Sequence, residues 1–287
     1  MIQKLKKNAT VFEALNWASL RLKEKNLDPD QGRWLMRSLM GWNLTNLLMN
    51  YRLNLTDDQQ SQFIQMVNRI LNYEPLQYVI GTTEFYGYHF QVNPNVLIPR
   101  PETEELVEWV LNEHDDQPIS VLDLGTGSGA IAISLKKQRP KWNVTGSDVS
   151  EAALKVAQAN AIANHAEVKM VESDLFDSFN GQRFDLIVSN PPYVTKDEIK
   201  YMDESVLEYE PRQALFAQDH GLAVYQKIAK NIHAYLKKNG SLYLEIGFKQ
   251  GNSVKRLLEA DNPDRSVRLR KDMAMRDRMI KMNKENE

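Results

Sequence analysis

The 287-residue sequence contains no cysteine, no excess of one charge and no long apolar run. Without cysteine the chain can form no disulfide, no thiolate metal site and no cysteine nucleophile. With 36 Lys and Arg residues against 38 Asp and Glu residues, the net charge is -2. The chain therefore lacks the broad positive field that holds a nucleic-acid backbone without regard to sequence, and no stable nucleic-acid binding is expected.

No apolar run is long enough to cross a bilayer, and the first lysines are not followed by an apolar segment. We therefore expect a cytoplasmic protein without a membrane partner. The five histidines show no metal-ligand spacing, so no metal site is predicted.

The N-terminal residues 1–73 are predicted to form a small helical domain. Segments beginning at Thr10 and at Thr56 match the capping box, in which a Thr hydroxyl and a Glu or Gln three residues later bind free backbone N–H groups. Apolar residues at helical spacing follow the second box, and another helix is predicted around Leu35, Met36, Leu39 and Met40.

Residues 74–100 are predicted to be a linker with a short β-hairpin near Phe85 to Phe90, where aromatic and β-branched residues alternate around a glycine. Over residues 101–287 helix and strand patterns alternate, which is typical of an α/β domain with a mostly parallel sheet. Its last two strands are expected to pair as an antiparallel edge. The seven strands are predicted at 119–124, 143–147, 168–171, 184–189, 241–246, 266–271 and 277–282.

A glycine-rich turn follows the first of these strands, at Gly125, Thr126, Gly127, Ser128 and Gly129. Such a turn lets a ligand lie against bare backbone at a helix N-terminus. Its spacing differs from the G-x-G-x-x-G that binds a dinucleotide pyrophosphate. Asp123, just before the turn, suits a cationic ligand better than a phosphate.

Acidic residues are expected at the ends of the next two strands. Asp148 lies about twenty residues beyond the glycines, where a carboxylate accepts hydrogen bonds from both hydroxyls of a ribose. Asp174 is predicted to end the third strand and to border an adenine. A single glycine turn or strand-end aspartate is common in proteins without such a site, but three successive strand ends together predict an adenosyl-cofactor site.

The fourth strand leads into Asn190, Pro191, Pro192 and Tyr193. The two prolines fix the backbone and remove two N–H donors, so the carbonyls of Asn190 and Pro191 can point into a site. An amide or aryl amine is a poor nucleophile because its lone pair is delocalised. The Asn190 side chain and a backbone carbonyl can hold both of its N–H bonds and direct the lone pair, while Tyr193 offers a flat face.

With these motifs the chain resembles the protein-(glutamine-N) methyltransferases that modify peptide-chain release factors, the PrmC or HemK family. The resemblance extends from about Pro75 to Met282. Besides the glycine turn and the Asn-Pro-Pro-Tyr motif, four segments match in the expected order: 75–81, 96–104, 210–212 and 240–247.

The resemblance implies a Rossmann-like class I methyltransferase domain and an N-terminal domain that recognises the substrate protein. It implies methylation, by S-adenosylmethionine, of the glutamine in the GGQ motif of class 1 release factors, which affects translation termination. S-adenosylhomocysteine would be the product and a monomer is expected. Cofactor contacts are implied for Gly125 to Gly129, Asp148, Leu175 and Asn190; Asn190 to Tyr193 would hold the glutamine, with Asn190, Pro191 and Tyr193 catalytic.

Two positions depart from the family pattern. Leu175 stands where some relatives have an aromatic residue beside the adenine, and Ala274-Met275 stands where a glycine is common. Arg100, Glu102 and Arg212 are interpreted equally well as structural ion pairs or as ligand contacts.

Two other functions compete with this interpretation. Enzymes that methylate exocyclic amines of adenine or guanine also use Asn-Pro-Pro-Tyr, but they must flip a base and hold a phosphate backbone. The near-neutral charge argues against that alternative. A binding module that has lost its activity is disfavoured because every polar group that the chemistry needs is present.

Overall fold

The computed structural model describes residues 5–284, and its contacts divide the chain into two compact units. The first unit ends at Gly81 and also includes Asp203–Tyr209. The second unit comprises Thr82–Met202 and the chain from Glu210 onward. The predicted linker 74–100 is therefore divided between the two units.

The first unit is helical, and both predicted capping boxes form at its helix starts. The Thr10 hydroxyl accepts the Glu13 backbone N–H, and the Glu13 carboxylate accepts the Thr10 backbone N–H. Thr56 and Gln59 make the same pair of bonds. Three short helices of this unit were not predicted from the sequence: two before Gly81 and one at 204–209. The helices are α1 (Val11–Glu24), α2 (Gln31–Met40), α3 (Leu44–Met49), α4 (Asp57–Leu71) and α5 (Leu76–Ile80).

The second unit begins with the predicted hairpin, in which β1 (Thr82–Phe85) pairs antiparallel with β2 (Tyr88–Gln91). Tyr86 and Gly87 in the turn both have positive φ, as two-residue hairpin turns of type I′ require. Phe85 and Phe90 are buried and meet edge to face.

Seven strands form one sheet in the order β5-β4-β3-β6-β7-β9-β8. Strands β3 to β7 are parallel, and β9 runs antiparallel to both β7 and β8. The predicted α/β fold with an antiparallel C-terminal edge is confirmed. The strands are β3 (Ser120–Leu124), β4 (Asn143–Asp148), β5 (Val168–Glu172), β6 (Phe184–Ser189), β7 (Leu236–Glu245), β8 (Arg265–Lys271) and β9 (Asp277–Lys284).

Two hydrophobic clusters lie in this unit, and successive residues of β3 belong to different clusters because side chains alternate between the faces of a strand. Val121 packs in one cluster with Val110 and Ile133, whereas Leu122 packs in the other with Ile228. The remaining helices are α6 (Pro101–Glu113), α7 (Ala130–Gln138), α8 (Glu151–Ala163), α9 (Glu204–Tyr209, of the first unit), α10 (Arg212–Leu215), α11 (Gln218–Gly221, a single turn in which Asp219 and His220 have non-helical, positive φ), α12 (Ala223–Tyr235) and α13 (Gly251–Asp261).

The order of the strands locates a crevice. From β3 the chain proceeds to β4 and β5 on one side, and later to β6 and β7 on the other. In such sheets ligands bind outside the carboxyl ends of the strands at this switch point. Among residues 5–284, no helix has the length and apolarity that would be needed to span a membrane.

Candidate active site

A cavity of about 490 Å³ lies where β3, β4 and β6 end. Of the residues predicted to bind a cofactor, all except Gly129 line it: Gly125, Thr126, Gly127, Ser128, Asp148, Asp174, Leu175 and Asn190. The tertiary structure therefore brings together residues that lie 65 positions apart between the first and the last.

The three glycines of the turn have two different structural roles. All three have positive φ, which favours glycine. A Cβ on Gly125 or Gly127 would meet no atom within 4 Å, so both leave open space beside the cavity that they line. A Cβ on Gly129 would instead lie 2.8 Å from Ile133 Cδ1 and 3.3 Å from Ala157 Cβ. Gly129 thus permits close packing of α7 and α8.

Asp148 ties the end of β4 to the glycine turn. Its Oδ2 accepts the Gly127 N–H at 2.9 Å, and its Oδ1 accepts the Ser150 N–H at 2.9 Å. Each carboxylate oxygen keeps a second lone pair for a further donor. The side chain therefore lines the cavity in a fixed orientation, in which it can accept hydrogen bonds from two adjacent hydroxyl groups.

Asp174 and Leu175 line the cavity beyond β5. Strand β5 ends at Glu172, so Asp174 lies two residues beyond the strand and, contrary to the prediction from the sequence, does not end it. The Asp174 side chain is 58% exposed and pairs with Lys227 at 3.6 Å. Leu175 has a positive φ of 49°, and its carbonyl accepts the Ser173 hydroxyl at 2.9 Å.

Asp123 does not line the cavity, in contrast to its predicted place beside a cationic ligand. It is fully buried, and its Oδ2 accepts the Thr126 hydroxyl at 2.7 Å and the Ala132 N–H at 3.2 Å. Burial raises the pKa of Asp123 to about 7 despite these two hydrogen bonds. Its contacts stabilise the turn and the start of α7.

The Asn190 side chain joins the cavity to the buried interior. Its Nδ2 donates to the Thr103 hydroxyl oxygen at 3.1 Å, and the Thr103 hydroxyl donates to Glu245 Oε2 at 2.6 Å. Asn190, Thr103 and Pro192 line the cavity, whereas Pro191 is buried. Thr103 and Glu245 were not predicted as site residues.

Tyr193 is not among the residues that line this cavity. Its carbonyl accepts the Gln250 side-chain amide at 3.1 Å, and its hydroxyl lies 3.5 Å from the Arg278 guanidinium. Burial raises the pKa of Tyr193 well above its ordinary value, and the charge of Glu245 adds to this rise. The Tyr193 hydroxyl is therefore neutral at physiological pH.

Arg100, Arg212 and Glu102, interpreted above as ion pairs or as ligand contacts, lie in three different environments. Arg100 lines the cavity and also pairs at 2.6 Å with Glu210, which is buried. The Arg212 guanidinium lies over the Phe216 ring, 5.3 Å from its centroid. Glu102 is exposed in the first turn of α6. Arg100 is thus part of a structural ion pair, and its side chain also lines the cavity.

The sequence carries a signal for one of the unpredicted residues. Glu245 lies among apolar residues in β7, and a carboxylate within a buried strand needs a partner. Thr103 lies in the segment 96–104 that matches the family, but the local pattern around Thr103 and Gln250 gives no comparable signal, because their contacts are with residues distant in the sequence.

Two protein-family models match the chain. The PrmC N-terminal domain matches residues 13–81, and the Methyltransferase small domain matches residues 103–215. Release factor glutamine methyltransferase of Enterococcus faecalis is 41% identical over 268 residues, which span 93% of this chain and 97% of that protein. The Lactococcus lactis protein of the same name is 44% identical over 253 residues, spanning 88% and 93%.

Solved structures share the fold at lower sequence identity. The crystal structure of a methyltransferase from Pyrococcus furiosus matches with a TM-score of 0.54 and 18% identity, covering 80% of this chain and 100% of that one. This likeness concerns the architecture alone.

Proposed function

This chain belongs to the release factor glutamine methyltransferase family, and we propose that it methylates the side-chain amide nitrogen of a glutamine in peptide-chain release factors. The observation that carries this proposal is the 41% identity to the Enterococcus faecalis protein over nearly the whole length of both chains. The glutamine is that of the GGQ motif, and its methylation affects translation termination.

S-adenosylmethionine is the proposed methyl donor, and the cavity suits it. Gly125 and Gly127 leave bare backbone beside the cavity, and the oriented Asp148 carboxylate would accept hydrogen bonds from the two ribose hydroxyls. Asp174 and Leu175 would border the adenine. When bound, the cofactor supplies an electrophilic methyl group on a sulfonium.

Asn190 is proposed to hold the amide of the substrate glutamine, which accepts the methyl group, and we call this role the clamp. Because Nδ2 of Asn190 donates to Thr103, Oδ1 is the atom of this carboxamide that accepts an N–H of the substrate glutamine. The Pro191 carbonyl is proposed to accept the other N–H, and Tyr193 to flank the planar amide. As the glutamine nitrogen gains positive character, these acceptor oxygens become stronger partners in the transition state than in the ground state. After transfer the methylated nitrogen carries a positive charge and is strongly acidic, so it loses one proton to water and no strong base is needed.

The helical unit is proposed to recognise the release factor. Support comes from large apolar side chains that it exposes, among them Trp34 at 51% and Met49 at 78%. Trp34→Ala with Met49→Ala should raise the KM for the release factor severalfold and leave the Kd for S-adenosylmethionine unchanged. An unchanged KM would exclude these side chains from recognition. The monomeric state, the cytoplasmic location and the absence of stable nucleic-acid binding stay predictions.

The proposed function is tested by incubating the protein with methyl-labelled S-adenosylmethionine and purified release factors, followed by peptide mass spectrometry. The label should lie on the glutamine of the GGQ motif, and a release factor with this glutamine replaced by alanine should remain unlabelled. Preferential labelling of DNA or RNA added in parallel would support the exocyclic-amine alternative instead.

A further inference from the structure

We infer that Thr103 and Glu245 are positioning residues that hold the Asn190 carboxamide with its oxygen toward the methyl acceptor. This inference rests on the proposed role of Asn190 as the clamp. It assigns a role to two residues that lie outside the Asn-Pro-Pro-Tyr motif and are not proposed to donate to the substrate.

Three separate elements bring the groups together. Asn190 follows β6, Thr103 lies in the first turn of α6, and Glu245 ends β7. Thr103 is 4% exposed and Glu245 is 2% exposed, so water does not compete freely for their hydrogen bonds. Two hydrogen bonds connect them, from Asn190 Nδ2 to Thr103 Oγ1 and from the Thr103 hydroxyl to Glu245 Oε2, and we call this pair of bonds the relay.

The direction in which these two hydrogen bonds are donated follows from the number of hydrogen atoms available. An ionised carboxylate only accepts hydrogen bonds, so the single hydroxyl hydrogen of Thr103 must point to Glu245. The Thr103 oxygen is then left as an acceptor, and only the NH₂ end of the Asn190 carboxamide satisfies it. A carboxamide flipped by 180° would place oxygen against oxygen at Thr103. It would also present N–H groups to the N–H groups of the substrate amide.

The relay depends on the charge of Glu245, and several charged groups act on it. Arg278 on β9 and Arg100 before α6 favour the carboxylate, as does the Thr103 hydrogen bond, whereas Glu102 on α6 disfavours it. The Tyr225 hydroxyl from α12 donates to the Glu245 backbone carbonyl at 2.9 Å. Burial is the largest influence and raises the pKa of Glu245 to about 7.

Protonation would reverse the relay. A neutral Glu245 can donate to the Thr103 oxygen, which frees the Thr103 hydroxyl to donate to a flipped Asn190 carboxamide. The flipped carboxamide no longer accepts from the substrate. The rate of methyl transfer should therefore fall as the pH drops through about 7, the pKa of Glu245.

The first test compares Thr103→Val with Thr103→Ser in single-turnover methylation of a release factor at pH 8 with saturating S-adenosylmethionine. Thr103→Val keeps the shape and removes the hydroxyl, so the rate should fall by roughly 10- to 100-fold, as the loss of a buried hydrogen-bond partner implies. Thr103→Ser should remain within about threefold of the parent protein. Thermal unfolding verifies that both variants fold.

The second test follows the single-turnover rate of Glu245→Gln from pH 6 to pH 8. Glutamine does not titrate, so the acid decline seen in the parent protein should disappear. Retention of the same decline in Glu245→Gln would assign it to another group and overturn the relay.

Asn190→Ala, measured alongside, separates the clamp role of Asn190 from the positioning role of Thr103. A slow Asn190→Ala together with a Thr103→Val rate near that of the parent would overturn the positioning role alone. A fast Asn190→Ala would overturn the clamp itself. A slow Thr103→Ser together with a Thr103→Val rate near that of the parent would show that Thr103 acts through packing of its methyl group, and would overturn the hydrogen-bonding role.

Discussion

Gly221 lies directly against the main chain of Tyr193, and a Cβ on Gly221 would be 2.2 Å from the Tyr193 carbonyl oxygen. The Gln250 side-chain amide donates to the same oxygen at 3.1 Å and to the His220 carbonyl at 3.3 Å. Asp219 and His220 share the positive φ of Gly221, which is uncommon for residues with a side chain. The turn at 219–221 and the Gln250 side chain together fix the backbone at Tyr193, the last residue of the Asn-Pro-Pro-Tyr motif.

Gly221→Ala should therefore destabilise the protein more than a left-handed conformation alone explains. Gly181 is a matched control, because its φ is +77° but a Cβ there would meet no atom within 4 Å. Gly181→Ala should cost about 1–2 kcal/mol. Gly221→Ala should cost more and should also lower the methylation rate, since Tyr193 must move. Urea unfolding and single-turnover rates measure both effects, and equal unfolding costs would contradict the close approach.

Asp148→Ala should weaken S-adenosylmethionine binding by roughly tenfold or more, because charge-assisted hydrogen bonds contribute about 1.5–3 kcal/mol each. The variant also frees the N–H groups of Gly127 and Ser150. Glu172→Ala is the control, because the Glu172 carboxylate is exposed at the end of β5 and does not line the cavity, so the Kd should stay unchanged. Titration calorimetry measures both affinities. An unchanged Kd in Asp148→Ala would remove this residue from the cofactor site.

Asn190→Ala should slow single-turnover methylation by about a hundredfold, which corresponds to about 2.7 kcal/mol of lost transition-state stabilisation. The Kd for S-adenosylmethionine should change much less. Asn190→Asp retains an acceptor oxygen but adds a negative charge, which would stabilise the sulfonium ground state and should also slow transfer. Single-turnover rates of both variants, measured with saturating cofactor and release factor, test these expectations. A rate within about threefold of the parent for Asn190→Ala would exclude the clamp.

Glu113 should make the fold sensitive to acid. Burial would raise its pKa, but hydrogen bonds from Lys281, Tyr243 and Trp109 outweigh burial and lower the pKa to about 2 from an ordinary value of 4.5. Its folded pKa lies below its unfolded pKa, so its stabilising contribution is present above pH 4.5 and is lost as the pH falls through about 2.

Glu113→Gln tests this contribution because it abolishes the titration. The difference in unfolding free energy between the parent protein and the variant should shrink between pH 5 and pH 2. Urea unfolding at several pH values measures it. A constant difference over this range would show that Glu113 titrates no differently in the folded and unfolded states.

The sequence by itself was sufficient for the features that depend on local pattern. Thr10 and Thr56 begin helices because their partners lie three residues away, and the alternation of helix and strand patterns predicts the parallel sheet. The glycine turn and the segment from Asn190 to Tyr193 were located because glycine and proline restrict or release the backbone wherever they occur. At Ala274-Met275, where the family commonly has a glycine, Met275 adopts a φ of 61°, in the left-handed region that favours glycine.

Only the tertiary structure decided where side chains point and what surrounds them. Gly129 packs against Ala157 while its neighbours Gly125 and Gly127 line the cavity, although the sequence presents the three alike. Thr103 reaches Asn190 across 87 positions and Glu245 across 142. Burial, hydrogen-bond direction and the pKa of Glu245 depend on which elements become neighbours, and no local pattern of residues contains that information.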